Sequence, residues 1–230
     1  MNDQAPRTTG IASALPTLPG PLVLASASPR RSQLLSLLGI PFEIDIAAID
    51  ESPRDGEHVA ELVRRLAAEK AAVVAGRRPG SVVIGADTVV ALDDESLGTP
   101  ANESDAAEML RRLSGRTHQV LTAVAVVTGE QCVTGLDQTN VTFGPIDQRL
   151  IEAYVATGEP LDKAGGYGLQ GAGGVFVRHL EGTAQGVIGL PLALTLDLLG
   201  SLFAESGTFT KSGLDGDEFE EEAGSARAEM

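Results

Sequence analysis

The chain has 230 residues, 43% of them hydrophobic but only 3% aromatic and none of them tryptophan, so a sizeable core must be built from Ala, Val, Leu and Ile. The formal net charge is −15, and residues 205–230 hold eight acids against Lys211 and Arg227, a balance that argues against duplex nucleic acid or an anionic membrane as a bulk partner. The single cysteine, Cys132, excludes an internal disulfide and a cysteine-built zinc site. With no signal peptide and no apolar run of membrane-spanning length, it points to a cytoplasmic setting.

Residues 1–20, rich in Thr, Ala, Pro, Gly and Ser, read as a disordered leader, and the acidic residues 205–230 as a disordered tail. Residues 21–204 between them form the expected domain. Leu22-Val23-Leu24-Ala25 reads as a short buried strand. It breaks into Ser26-Ala27-Ser28-Pro29-Arg30-Arg31, where Ser28 is placed to cap a helix that Pro29 opens. Leu34, Leu35, Leu37 and Leu38 supply the buried face and Gly39 the stop. Free N–H groups, a helix dipole and two arginines meet here, as an anion site requires. An ordinary capped helix with surface arginines fits the same residues.

Pro41–Ile46 alternates as a half-exposed strand and runs into a polar turn containing Glu51, where solvation is the ordinary fate of an acid. His58–Ala75 has helical spacing. Lys70 falls on its apolar stripe, so its ammonium either snorkels to the edge or points into a site. Glu61, Arg64, Arg65 and Glu69 read as a solvated face. Val82–Leu92 is the most apolar stretch and reads as a central strand, interrupted by Asp87 and Thr88. A carboxylate in such surroundings is paired, metal-bound or catalytic, or caps a nearby loop.

A helix is expected over Glu103–Leu113, then a hairpin of Val120–Val127 and Gln131–Phe143. A third helix over Gln148–Ala156 is capped by Asp147. Residues 161–174, dense in glycine, serve either as a flexible loop or as backbone brought close to a ligand. They contain no P-loop and no dinucleotide fingerprint. Val175–Val177 resumes a strand, Gly186–Gly189 reads as a loop, and Pro191 opens a last helix through Phe203.

Arg30, Arg31, Glu51, Lys70, Asp87, Lys163 and Gln170 depart from local expectation. Cations beside two acids suit a metal–triphosphate: the cations face phosphate oxygens, the carboxylates hold Mg²⁺ or Mn²⁺, and one carboxylate takes a proton from water. A Ser-His-Asp hydrolase is disfavoured, because Ser26 and Ser28 lack a nucleophile elbow and His58, His118 and His179 are the only histidine bases.

The motifs ASASPRR, GADTVV, SGRTHQVLTAV, EPLDKAGGYGLQG and GVIGLPL, in that order over residues 22–203, resemble the Maf family of nucleotide pyrophosphatases, first named for inhibition of septum formation. The resemblance implies an α/β fold, a mixed twisted sheet with flanking helices and two lobes around a nucleotide cleft, similar to inosine-triphosphate pyrophosphatases. It implies metal-dependent hydrolysis of a nucleoside triphosphate to the monophosphate and pyrophosphate. By that resemblance Asp87 is the proton acceptor and touches the metal with Glu51, while Ser28, Arg31, Lys70 and Lys163 belong to the phosphate side. Arg30, Thr88 and Gln170 match the positions that sort substrates, here toward dTTP and UTP rather than 7-methyl-GTP. A homodimer is also implied. One departure stands out: Thr99 occupies the place of the family's phosphate-binding lysine, and Arg111, Arg112 or Arg116 would have to compensate. That departure keeps open a non-catalytic nucleotide-binding regulator of division.

Overall fold

The computed structural model describes residues 17–204, with the side chains of the last two left aside; the expected leader and tail lie almost wholly outside that range. Strand β1 (Leu22–Leu24), helix α1 (Pro29–Ser36) and strand β2 (Phe42–Ile44) come first. Helix α2 (Val59–Arg77), β3 (Val82–Leu92) and β4 (Glu95–Leu97) follow. Then come α3 (Glu103–Leu113), β5 (Thr117–Thr128), β6 (Gln131–Phe143) and α4 (Gln148–Val155). A series of 3-10 turns leads to β7 (Val177–Glu181), α5 (Ala184–Ile188) and α6 (Leu192–Ala204).

The seven strands form one mixed sheet in the order β2-β1-β3-β5-β6-β7, with β4 on the far end of β3. β2, β1 and β3 are parallel, because α1 and α2 each carry the chain back before the next strand. From β3 onward the pairing is antiparallel, with tight turns joining β3 to β4 and β5 to β6 and helical segments joining β3–β4 to β5 and β6 to β7. Between β3 and β4 the two loop residues, Asp93 and Asp94, both take positive φ, as a primed hairpin turn requires.

Alternation along β3 divides the core. Val82, Ile84 and Ala86 pack with Leu35, Leu38 and Leu199 on the α1/α6 face, while Val83 meets Val63, Leu66 and Ala67 of α2 on the other. Gly85 lies on the α2 side, and a Cβ there would sit 2.3 Å from the Ala67 carbonyl oxygen. Its missing side chain lets α2 settle directly on β3. That contact brings the next residue on the same face, Asp87, under Lys70. Four aromatic residues gather in a third cluster, where Phe143, Tyr154, Tyr167 and Phe176 pack with the apolar residues of α3 and α4.

Four local expectations need correction. Val175 and Phe176 close a 3-10 turn over Ala172–Phe176, and the strand expected over Val175–Val177 begins only at Val177. Leu37 is 64% exposed rather than part of the buried face. At about 100° per residue, Leu34, Leu35 and Leu38 share one arc and Leu37 points away from it. Ser28 starts α1 but makes no side-chain capping bond; its own N–H donates instead to Ser26 Oγ at 3.2 Å. Residues 186–189 end the short helix α5, whose Thr183 hydroxyl accepts from Gly186 N–H; the two glycines obscured that cap in the sequence. Among the described residues no helix is long and apolar enough to cross a membrane.

Candidate active site

Asp87 lies in the centre of β3 and is 6% exposed. Lys70 Nζ donates to its Oδ1 at 2.7 Å and pairs with Glu51 Oε1 at 3.0 Å. The lysine therefore does not snorkel; it joins two carboxylates, one buried and one from the loop before α2. Burial raises the Asp87 pKa above its ordinary 3.8, against the lowering pull of Lys70 and Arg31.

The Glu51 loop is held from beneath. Arg65 binds both oxygens of Glu57 at 2.6 and 2.8 Å and donates to the Ser52 carbonyl at 3.1 Å. Its side chain is 12% exposed, so it is a structural tie and not part of a solvated face. The Glu57 carboxyl is held down at about 2, chiefly by its hydrogen bonds from Arg65.

Thr88 follows Asp87 and so faces the opposite side of the sheet. Arg31 Nη2 donates to its hydroxyl at 3.1 Å, Nε to the Gly189 carbonyl at 2.9 Å and Nη1 to Ser26 Oγ at 3.3 Å. Among the described residues Arg31 forms no ion pair with a carboxylate, and burial pushes its pKa down. The Thr88 hydroxyl is oriented further by Thr122. Thr122 donates to the Gly186 carbonyl at 2.7 Å, so the 2.9 Å contact between the two threonines has Thr88 as donor.

Arg30, one position earlier, reaches across the cleft. Its Nη1 donates to Asp162 Oδ2 at 3.0 Å and its Nη2 to the Asp162 carbonyl at 3.3 Å. Lys163 Nζ donates to the other Asp162 oxygen at 2.5 Å and to the Glu159 carbonyl at 2.6 Å. The glycine-rich segment that follows wraps Glu159 and Tyr154. Glu159 accepts from Ala172 and Gly173 N–H and from Tyr154 Oη, and a Cβ on Gly171 would sit 2.3 Å from Glu159 Oε1. Close packing against these two side chains explains Gly171 and Gly173. Tyr167, in the same segment, is held by His118 Nε2 at 2.8 Å.

All nine residues singled out in the sequence — Ser28, Arg30, Arg31, Glu51, Lys70, Asp87, Thr88, Lys163 and Gln170 — line a single cleft of about 260 Å³. Thr99 lines it as well. Arg111, Arg112 and Arg116 do not; they pair with Glu108, Glu95 and Asp93, so none of them replaces the missing lysine there. His58 is the N-cap of α2 in a capping box with Glu61, and His179 lies within β7, so neither serves as a base here.

The charged residues lining the cleft are four cations and three carboxylates. Among the described residues no group of three or more His, Cys, Asp or Glu could hold a metal by itself. Glu51 and Asp87, the two carboxylates expected to hold Mg²⁺ or Mn²⁺, are joined through the Lys70 ammonium at 3.0 and 2.7 Å.

A family model described as Maf-like protein matches residues 21–202. The chain belongs to the Maf family. The dTTP/UTP pyrophosphatase of Symbiobacterium thermophilum is 48% identical over 178 residues, 77% of this chain and 92% of that protein. The dTTP/UTP pyrophosphatase of Bacillus mycoides is 47% identical over 172 residues, 75% of this chain and 90% of that one. Among solved structures, the Staphylococcus aureus Ham1 protein aligns with a TM-score of 0.44 at 14% identity, covering 80% of this chain and 98% of that one.

In this Maf-family chain Asp162, Thr122 and Arg65 also support the site, although nothing in the local sequence assigns them to it. Asp162 adjoins Lys163 in the EPLDKAGG segment, a signal that was present but resembled an ordinary loop acid. The pairing of Thr122 with Thr88 follows from the β3–β5 register and has no local mark.

Proposed function

We propose that this protein hydrolyses nucleoside triphosphates, dTTP and UTP foremost, to the nucleoside monophosphate and pyrophosphate. The observation that carries the reading is the cleft's division of labour: a buried carboxylate of raised pKa on one face of β3 and an arginine without a carboxylate partner on the other. Lys70 occupies Asp87 Oδ1 and leaves Oδ2 to accept the proton of a water attacking phosphorus. The new P–O bond forms as the bond to the pyrophosphate oxygen breaks, and no covalent enzyme intermediate is needed. Arg31 is already oriented by three neutral acceptors, so its charge is directed at the phosphates without reorganisation.

The cleft has one more cation than carboxylates, less positive charge than a triphosphate carries negative. A divalent cation held by Glu51 and Asp87 would supply the remaining neutralisation of the phosphate oxygens. The relatives' names, at nearly half identity over most of the chain, support dTTP and UTP as substrates. Thr99 favours a second reading, a nucleotide-binding regulator without turnover. The two separate when the protein is incubated with Mn²⁺ and a panel of dTTP, UTP, CTP and 7-methyl-GTP while pyrophosphate and orthophosphate are measured. Pyrophosphate release, greatest with dTTP and UTP, supports hydrolysis; tight dTTP binding without product supports the regulator.

A further inference from the structure

Arg30 and Arg31 enter one cleft from one helical turn, with the same charge and the same reach. Their surroundings differ. Among the described residues Arg31 bonds only neutral oxygens, those of Gly189, Ser26 and Thr88. Arg30 is paired with a carboxylate supplied from 132 positions away, and that carboxylate also takes Lys163 on its second oxygen.

Resting on the pyrophosphatase reading, we propose that Asp162 is a specificity-determining residue that turns Arg30 from a phosphate clamp into a reader of uncharged nucleoside atoms. One carboxylate touches both cations on this side of the cleft and lowers their joint charge from two to one, whereas Arg31 faces only neutral acceptors. A phosphate placed against Arg30 would also meet the Asp162 carboxylate, a like-charge contact that disfavours it. An uncharged base edge or sugar hydroxyl meets no such repulsion. Arg30 uses two of its five N–H donors on Asp162 and keeps the others for a carbonyl or hydroxyl oxygen. The Asp162 side chain is 66% exposed, so its remaining lone pairs can accept from a base N–H. The bridge also fixes the direction of the guanidinium fork, which a free arginine on a flexible stem would not hold.

The exposure of Asp162 makes the test clean, because Asp162→Asn keeps the side chain's shape and threatens no core. With the full chain, kcat/KM is measured for dTTP, UTP, CTP and GTP, and inorganic tripolyphosphate is titrated as a ligand without a nucleoside. In Asp162→Asn the ratio between the best and poorest nucleotide falls about tenfold, the scale of one charge-assisted contact. Tripolyphosphate binds about threefold tighter, since two cations are released toward it across partly exposed surroundings. Asp162→Glu, which keeps the charge, retains most of the parent's selectivity. An unchanged ratio, or unchanged tripolyphosphate affinity, in Asp162→Asn overturns the proposal while leaving the hydrolase reading intact. Absence of turnover of any nucleotide by the parent protein overturns both.

Discussion

Replacing Lys70 with methionine keeps the length and apolar stem of the side chain and removes its charge. The partner left behind is Asp87, whose side chain is 8% exposed and which Lys70 contacts at 2.7 Å. Leaving a buried charge without its partner costs about 3–5 kcal/mol. Glu51, whose side chain is 58% exposed, returns to water and adds little. For a domain of this size each kcal/mol lowers Tm by about 2–4 °C, so Lys70→Met should melt at least about 6 °C below the parent at pH 7. The cost has a pH signature. Lys70 is the largest influence lowering the Asp87 pKa, so its loss raises that pKa further. An acid whose folded pKa lies above its unfolded value destabilises the fold above that pKa, and the penalty fades as pH falls and the group protonates. Urea denaturation followed by circular dichroism at pH 7 and pH 5 therefore gives a smaller deficit at the lower pH. The double variant Lys70→Met/Asp87→Asn leaves no unpaired carboxylate buried at this position and recovers about 2 kcal/mol at pH 7. A Lys70→Met deficit under about 1 kcal/mol at pH 7, or no recovery in the double variant, refutes the argument.

Three further outcomes are expected. Thr99→Lys restores a cation at the cleft wall and lowers KM for dTTP about tenfold while changing kcat little; an unchanged KM contradicts the reading of that position. Gly85→Ala places a Cβ against the α2 backbone and costs about 2–3 kcal/mol in urea denaturation, with loss of turnover as Lys70 is moved from Asp87; parent-like stability refutes the close-approach argument. His118, pushed down to about 4 by burial, is neutral in the fold but takes a proton near 6.5 once unfolded. A depressed base loses stability as pH falls through that window, by about 3 kcal/mol between the two values. His118→Gln removes that part of the slope, and a variant that loses as much stability as its parent from pH 7 to 4 sinks the assignment.

The sequence disclosed the site where chemistry contradicts local pattern. Asp87 breaks the most apolar strand, and Lys70 stands on an apolar helical stripe; both are buried in the structure, and each is the other's partner. Ser28-Pro29 marked the start of α1 correctly, because Pro at the first helical position is a backbone rule that needs no tertiary information. What stayed hidden are choices of distant partner. Arg65 resembles any arginine on a helix face until the β2–α2 loop is laid over it. Arg30 gives no sign that its counter-ion lies beyond β6, and Thr122 is one apolar-run threonine among several until the register sets it opposite Thr88. The glycine-rich segment was ambiguous because composition reports backbone freedom but not what approaches the backbone. Here Glu159 and Tyr154 approach it, from just upstream in the chain.

The proposed hydrolysis turns on Asp87 taking the proton from water as a nucleoside triphosphate is split to monophosphate and pyrophosphate. The most direct measurement incubates the parent protein and Asp87→Asn with dTTP and Mn²⁺ and quantifies dTMP and pyrophosphate by ion-exchange chromatography, with dTTP affinity measured in parallel. Equal amounts of the two products are expected from the parent, and Asp87→Asn should lose nearly all turnover with dTTP still bound. Production of dTDP and orthophosphate, or an Asp87→Asn variant as active as the parent, contradicts the proposal.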